Sequence, residues 1–321
     1  MEAELIRPIR WNDLAGYRSL LDDSFSSGPG KEETRAALLR MAGLYSRAFP
    51  LLRSLDLLGL LPRSVPRIYV CRRGGEVAGA ICLRRRAPGA YYVVHMAVGT
   101  PFRRLGIASR LRDFAVARLP AEPGLRLLAR HRSSNEPQAR SAAKFGYRPY
   151  LREHTLSLTG DGLRAALRSL EADGRFRKHR PTTADFRRLR LREIPPLAVR
   201  ADPTLADPCH EQSKVMELFN KFALHTRLVG TALEREGRVA GIALTRYHRL
   251  QKTHEAEFAL DPDSDADFIR ALGHSLVATL LARKAVEVRV RVWDFQPRLR
   301  RILLDAGFRE MVERILVYRP L

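Results

Sequence analysis

Cysteine is nearly absent. The 321 residues hold three, Cys71, Cys82 and Cys209. So low and odd a count excludes a disulfide framework, and no Cys/His spacing suggests a zinc site, so no metal is expected. Long apolar runs are missing as well. The greasiest segment, Ala48 to Pro62, is broken by Pro50, Arg53 and Asp56. It is too short and too charged to cross a bilayer and reads as a buried or lid helix. The opening Met1-Glu-Ala-Glu lacks a signal-peptide apolar core, which points to a cytoplasmic protein with no membrane partner. Acidic residues are scarce beside basic ones, 35 Asp and Glu against 57 Lys and Arg, for a net charge of +22. Disorder is excluded by a hydrophobic content of 45%, and the length suffices for two domains with separate cores.

What is present centres on twelve residues, Val98-Gly-Thr-Pro-Phe-Arg-Arg-Leu-Gly-Ile-Ala-Ser109. An apolar stretch, Ala90 to Val98, leads in, and a helical pattern, Leu105 to Leu119, leads out. A strand, a tight basic turn and a helix start gather unpaired backbone amides and partial positive charge around a phosphate. Gly106 and Ala108 are small enough for a pyrophosphate to approach the backbone, and Arg103 and Arg104 add charge beside it.

On both sides of this loop the chain resembles the Gcn5-related N-acetyltransferase (GNAT) superfamily. Glu4 to Leu14 resembles that family's first strand and the start of its first helix. Ile68 to Leu83 resembles its hairpin of strands two and three. Met96-Ala-Val98 followed by Arg103-x-x-Gly106-x-Ala108 is similar to its acyl-CoA signature, and Asn135 to Gly146-Tyr147 to its last shared motif. The resemblance covers about residues 1–160. It implies an α/β (α+β) fold with a mixed, splayed central sheet flanked by helices. It also implies a CoA thioester, acetyl-CoA in the simplest case, held by Met96, Ala97, Val98, Arg103, Arg104, Leu105, Gly106, Ile107, Ala108 and Ser109, with Asn135 orienting its arm.

The second half repeats the first. Gly75-Glu-Val-Ala-Gly-Ala80 matches Gly237-Arg-Val-Ala-Gly-Ile242, and Met96-Ala-Val98 matches Phe258-Ala-Leu260, both offset by 162 positions. Phe145-Gly-Tyr147 matches Ala306-Gly-Phe308 one position short of that offset. The expected organisation is two tandem GNAT folds: residues 1–160 as the acyl-CoA-binding domain, 161–190 as a basic linker, and 191–321 as a degenerate copy. Degeneracy shows at the loop, which the offset of 162 carries onto Asp265 to Arg270, so that Gly106 meets Phe268. Carboxylates at 261, 263, 265 and 267 would repel a pyrophosphate. They suit a helix start better than a cation site, because the EF-hand glycine and terminal glutamate are missing.

The densest basic run, Arg175 to Arg192, interleaves Arg with Phe and His. Phosphate contact with base stacking would use such a pattern, so tRNA or another RNA is an expected partner of this region. Alternation of Arg188, Arg190 and Arg192 with Leu189 and Leu191 also fits an edge strand with one solvated face.

For the chemistry, the resemblance implies that a backbone N–H among Met96, Ala97 and Val98 stabilises the developing oxyanion. The family's usual acid, a Tyr five residues before the aromatic, is Ala142 here; Tyr147 and Tyr150 lie past the helix. His95 is the first candidate base by its ordinary pKa, and Tyr92 the second. Strict alternation puts Tyr92 and Val94 on the face of Val98 and His95 opposite; a bulge would break it. His131 and Ser133-Ser134 are weaker candidates. The expected activity is transfer of an acyl group to a primary amine of a small molecule or peptide, by direct attack in a ternary complex. Alternatives are an aminoacyl-tRNA donor, an RNA- or ribosome-directed acetyltransferase, and a non-catalytic RNA-binding protein.

Overall fold

The computed structural model describes residues 5–26, 31–57, 65–171, 176–206, 226–248 and 253–321. They divide into two compact bodies, residues 1–127 with 320–321, and residues 128–319.

In the first body, β1 (Leu5–Pro8), β2 (Arg67–Arg73), β3 (Glu76–Ala87) and β4 (Ala90–Val98) pair antiparallel in chain order. The hairpin expected at 68–83 is β2 and β3. One face is covered by α1 (Leu14–Phe25) and α2 (Lys31–Leu57). Tyr17, Leu20 and Leu21 of α1 and Leu38, Ala42 and Phe49 of α2 pack with Ile68, Val70, Ala80, Cys82 and Ala97. The described part of the Ala48–Pro62 segment lies in α2; Phe49 is buried there and Leu51 is exposed. No described helix is long and apolar enough to cross a membrane. On the other face lies α3 (Ile107–Val116). Ile107 and Leu111 sit over Gly79, where a Cβ would approach Ile107 to 2.9 Å. Glycine there lets the start of α3 lie close on the sheet.

β5 (Arg126–Arg132) leads into the second body, which adds α4 (Glu136–Lys144), β6 (Arg148–Thr159), α5 (Gly160–Ser169), β7 (Arg177–His179), α6 (Thr183–Glu193) and α7 (Pro196–Ala201). Then come β8 (Thr226–Arg235), β9 (Arg238–His248), β10 (Thr253–Leu260), α8 (Ala266–Ala282), β11 (Glu287–Trp293), α9 (Pro297–Asp305) and β12 (Arg309–Pro320). Their sheet runs β5-β12-β6-β11-β10-β9-β8-β7. Leu163 and Ala166 of α5, Leu170 just after it, Phe268, Leu272 and Leu276 of α8 and Leu299 and Leu303 of α9 form the core with Leu156, Phe258, Val288, Val290 and Val292.

The repeat is visible in this order. β7 to β12 follow β1 to β6, and α8 and α9 follow α3 and α4. Gly241 lies against Phe268 and Leu272 as Gly79 lies against Ile107 and Leu111. Repeats and compact bodies do not coincide, because the last strands are exchanged. β6, the end of the first repeat, pairs with β11 of the second. β12, the end of the second, lies between β6 and β5.

The run after Pro181 is helical. Thr182 caps α6 by accepting the Asp185 amide at 3.1 Å, and Phe186, Leu189 and Arg190 fall at helical spacing on the buried side. The edge-strand expectation for Arg188 to Arg192 is therefore corrected. The edge strand is β7, in which Arg177 and Lys178 are exposed.

Candidate active site

β4 delivers its backbone to the site. The Gly99 amide donates to the Ala78 carbonyl at 3.0 Å. Backbone direction alternates along a strand, so Ala97 also turns towards β3, and Met96 and Val98 turn away. Of the three candidate donors, Ala97 is thus spent on the ladder with Ala80. The Val98 carbonyl accepts Arg103 Nε at 3.3 Å, and its amide points off the β3 edge.

After Val98 a single 3-10 turn, Thr100–Phe102, reverses the chain. Arg103, Arg104, Leu105 and Gly106 are exposed. Gly106 is the residue before α3, at φ +76°, and no side chain caps that helix. A left-handed φ suits glycine, and the missing side chain keeps the helix end open. The amides of Ile107, Ala108 and Ser109 form the first turn and have no intrahelical acceptor. Strand end, arginines and bare helix start follow one another directly at this end of β4.

The bulge is present and re-sorts the candidate bases. Cys82 pairs with His95 and Leu83 with Val93, so Val94 is the extra residue of β4. Tyr92, paired with Arg84, is thereby turned onto the face of His95 rather than that of Val98, and Val94 packs with the cluster on the same face. That face is the one beneath α1 and α2, and both side chains are buried there. Arg86 lies over the Tyr92 ring at 4.3 Å. His95 Nε2 is 2.8 Å from the Tyr17 hydroxyl, while Nδ1 has no partner among the described residues. Burial lowers the His95 pKa to about 4 and drives that of Tyr17 far upwards, so both are neutral near pH 7. Sequence reasoning missed Tyr17, since nothing in an amphipathic helix marks which phenol will meet a strand.

Asn135 lies in the second body, as the residue capping α4. Its side chain accepts the Gln138 amide at 3.2 Å and donates to the Gln138 side chain at 3.0 Å. His131 is buried, with Nδ1 3.0 Å from the Arg132 carbonyl.

The equivalent helix start in the second repeat is closed. Asp265 caps α8 by accepting the Phe268 amide at 2.8 Å. Asp261 pairs with Arg192 at 2.8 Å, Asp265 with Arg235 at 3.2 Å and Asp267 with Arg270 at 2.9 Å. Helix packing corrects the alignment here by one position: Phe268 takes the place of Ile107, so Gly106 falls opposite Asp267.

The model of the acetyltransferase (GNAT) family matches residues 38–147. The structure is similar to a GCN5-related N-acetyltransferase from Sphaerobacter thermophilus, with a TM-score of 0.61 and 16% identity over 99% of this chain and 95% of that one. It is also similar to a tandem GNAT protein from the clavulanic acid biosynthesis pathway, with a TM-score of 0.59 and 14% identity over 99% and 98% of the two chains. A putative acetyltransferase from Pyrococcus horikoshii gives a TM-score of 0.51 at 11% identity, over 100% of this chain and 90% of that one. No curated protein matches. The family match is that of an acyltransferase of the acetyltransferase kind. Residues 38–147 thus form a GNAT-family domain, and nearly the whole length of the chain takes the fold of a tandem GNAT protein.

Proposed function

We propose that the first repeat binds acetyl-CoA and transfers its acetyl group to a primary amine. The observation that carries this reading is the uncapped glycine start of α3, flanked by exposed Arg103 and Arg104, directly after a strand whose Val98 amide is turned off its edge. The amides of Ile107 to Ser109 and the two guanidinium groups hold the pyrophosphate. Met96 and Val98 pair with the amide arm as an added strand would. The thioester supplies an activated acyl group. The Val98 N–H faces the oxygen on which charge develops as the amine attacks. The amine's proton leaves to a base, for which neutral His95 is the first candidate and Tyr92 the second. The thiolate departs unaided, as its low basicity allows.

Titration calorimetry with acetyl-CoA tests this directly. One equivalent per chain with micromolar affinity is expected. Gly106→Glu places bulk, negative charge and a strained φ in the cradle and is expected to abolish binding. Arg103→Ala/Arg104→Ala, which keeps the turn, is expected to weaken it at least tenfold. Unchanged affinity in both variants would overturn the site.

A second reading, an aminoacyl-tRNA donor or an RNA acceptor, rests on the charge of +22. Its proposed surface loses weight because Arg190 is buried and Arg188 and Arg192 pair with Asp185 and Asp261; Arg175 lies outside the described residues. An RNA held through several phosphates would lose affinity by orders of magnitude between about 50 and 200 mM salt. Acetyl-CoA binding would not.

A further inference from the structure

In the second repeat, β10 and β11 run parallel and share rungs from Thr253 and Glu287 to Glu257 and Arg291, where their pairing ends. Phe258, Ala259 and Leu260 continue with β9 only. The Asp261 amide donates to the Ala240 carbonyl at 2.7 Å. By alternation Ala259 faces β9, and Phe258 and Leu260 face the gap. These are the counterparts of Met96 and Val98.

Two side chains fill the gap. Gln296 Nε2 donates to the Phe258 carbonyl at 3.2 Å, and the Leu260 amide donates to Glu193 Oε2 at 3.4 Å. The two are joined to each other, Gln296 Nε2 to Glu193 Oε1 at 2.6 Å. Behind them Gln296 Oε1 accepts the Trp293 amide at 3.2 Å, and Arg190 donates to Glu193 at 3.2 Å. Gln296 is 3% exposed and the Glu193 side chain 6%. One donor and one acceptor, set against a carbonyl and an amide two residues apart, reproduce what an extended amide chain presents to a strand edge.

We propose that Glu193 and Gln296 are a built-in occupant of the second repeat's strand gap, standing where the first repeat takes the amide arm of its ligand, so that the chain has one open slot and one permanently filled. The counterpart relation rests on the reading of the first repeat given above; the occupancy of the gap does not. The capped start of α8 agrees, since it offers no phosphate cradle to compete for.

Residue-resolved amide hydrogen exchange on the full chain, by nuclear magnetic resonance, tests the occupancy. Glu193→Ala is expected to speed exchange at Leu260 at least tenfold and to leave Ala259, held by β9, nearly unchanged. Glu193→Gln, which keeps an acceptor oxygen, is expected to retain most of the protection. Equal exchange at Leu260 in wild type and Glu193→Ala would overturn the occupant. Titration with pantetheine then tests the slot. Glu193→Ala/Gln296→Ala is expected to take one more equivalent than wild type, and a folded double variant with wild-type stoichiometry would overturn that part. A wild-type chain that binds no acetyl-CoA, with the Leu260 effect intact, would sink the reading of the first repeat alone.

Discussion

Asp13 sets the position of α1. Its side chain is fully buried and accepts both terminal guanidinium nitrogens of Arg7, at 2.6 and 2.9 Å, one of Arg72 at 3.0 Å, and the Arg10 amide at 2.7 Å. Burial alone would raise its pKa; the Arg7 bonds, the Arg10 amide and Arg72 outweigh it and hold the carboxyl below its usual range. Asp13→Ala strands two guanidinium groups and is expected to cost about 3–5 kcal/mol in chemical denaturation. His95 responds to pH. The unfolded chain takes up a proton near pH 6.5 and the folded chain only near pH 4. Stability therefore falls as pH drops through that window, by up to about 1.4 kcal/mol per pH unit. His95→Gln, which can still meet the Tyr17 hydroxyl, is expected to flatten that slope in melts run from pH 7 to 4. At this scale the sequence was legible in residue types and poor in directions. His95 and Tyr92 were recognisable as titratable groups within the apolar run of β4. Their common face depends on one extra residue, Val94, and an inserted residue has no signature of its own in an apolar run.

α3 and α8 carry the comparison to the scale of elements. Each begins on a glycine of the preceding hairpin, Gly79 or Gly241, and each sends two apolar side chains down onto it. They differ at the residue before each helix, a bare Gly106 in one and a capping Asp265 in the other. Phe268→Ala empties a fully buried site and is expected to cost about 3–5 kcal/mol, with acetyl-CoA affinity unchanged within twofold in calorimetry. A matching loss of affinity would show that the second helix start does bind ligand. The loop, the first hairpin and the repeat were readable because glycines, alternation and a constant offset are local signals. α6 was misread because five residues of Arg–Leu alternation imitate a strand. Its period emerges only once Phe186 is counted with Leu189 and Arg190, and only packing shows that one arginine of the run belongs inside. Glu193 and Gln296 were invisible, since the gap they fill is defined by where β10 and β11 stop pairing.

For the whole molecule, the offset located both copies but could not show which strands join them. β6 and β12 are alike in length and place in their repeats. The choice is made by pairing across more than a hundred residues, for which one sequence holds no local mark. That exchange has a consequence for the protein's ancestry and handling. Two identical subunits that traded their final strands would have this arrangement, and a peptide link between them would turn the assembly into a single chain. The link then fixes the partner without adding to the interface. Expressed alone, residues 1–171 would carry β6 without β11 or β12 and present bare strand edges prone to aggregation. Expressed as two separate polypeptides in one cell, residues 1–171 and 176–321 are expected to copurify as a soluble one-to-one heterodimer, each lending the other its last strand.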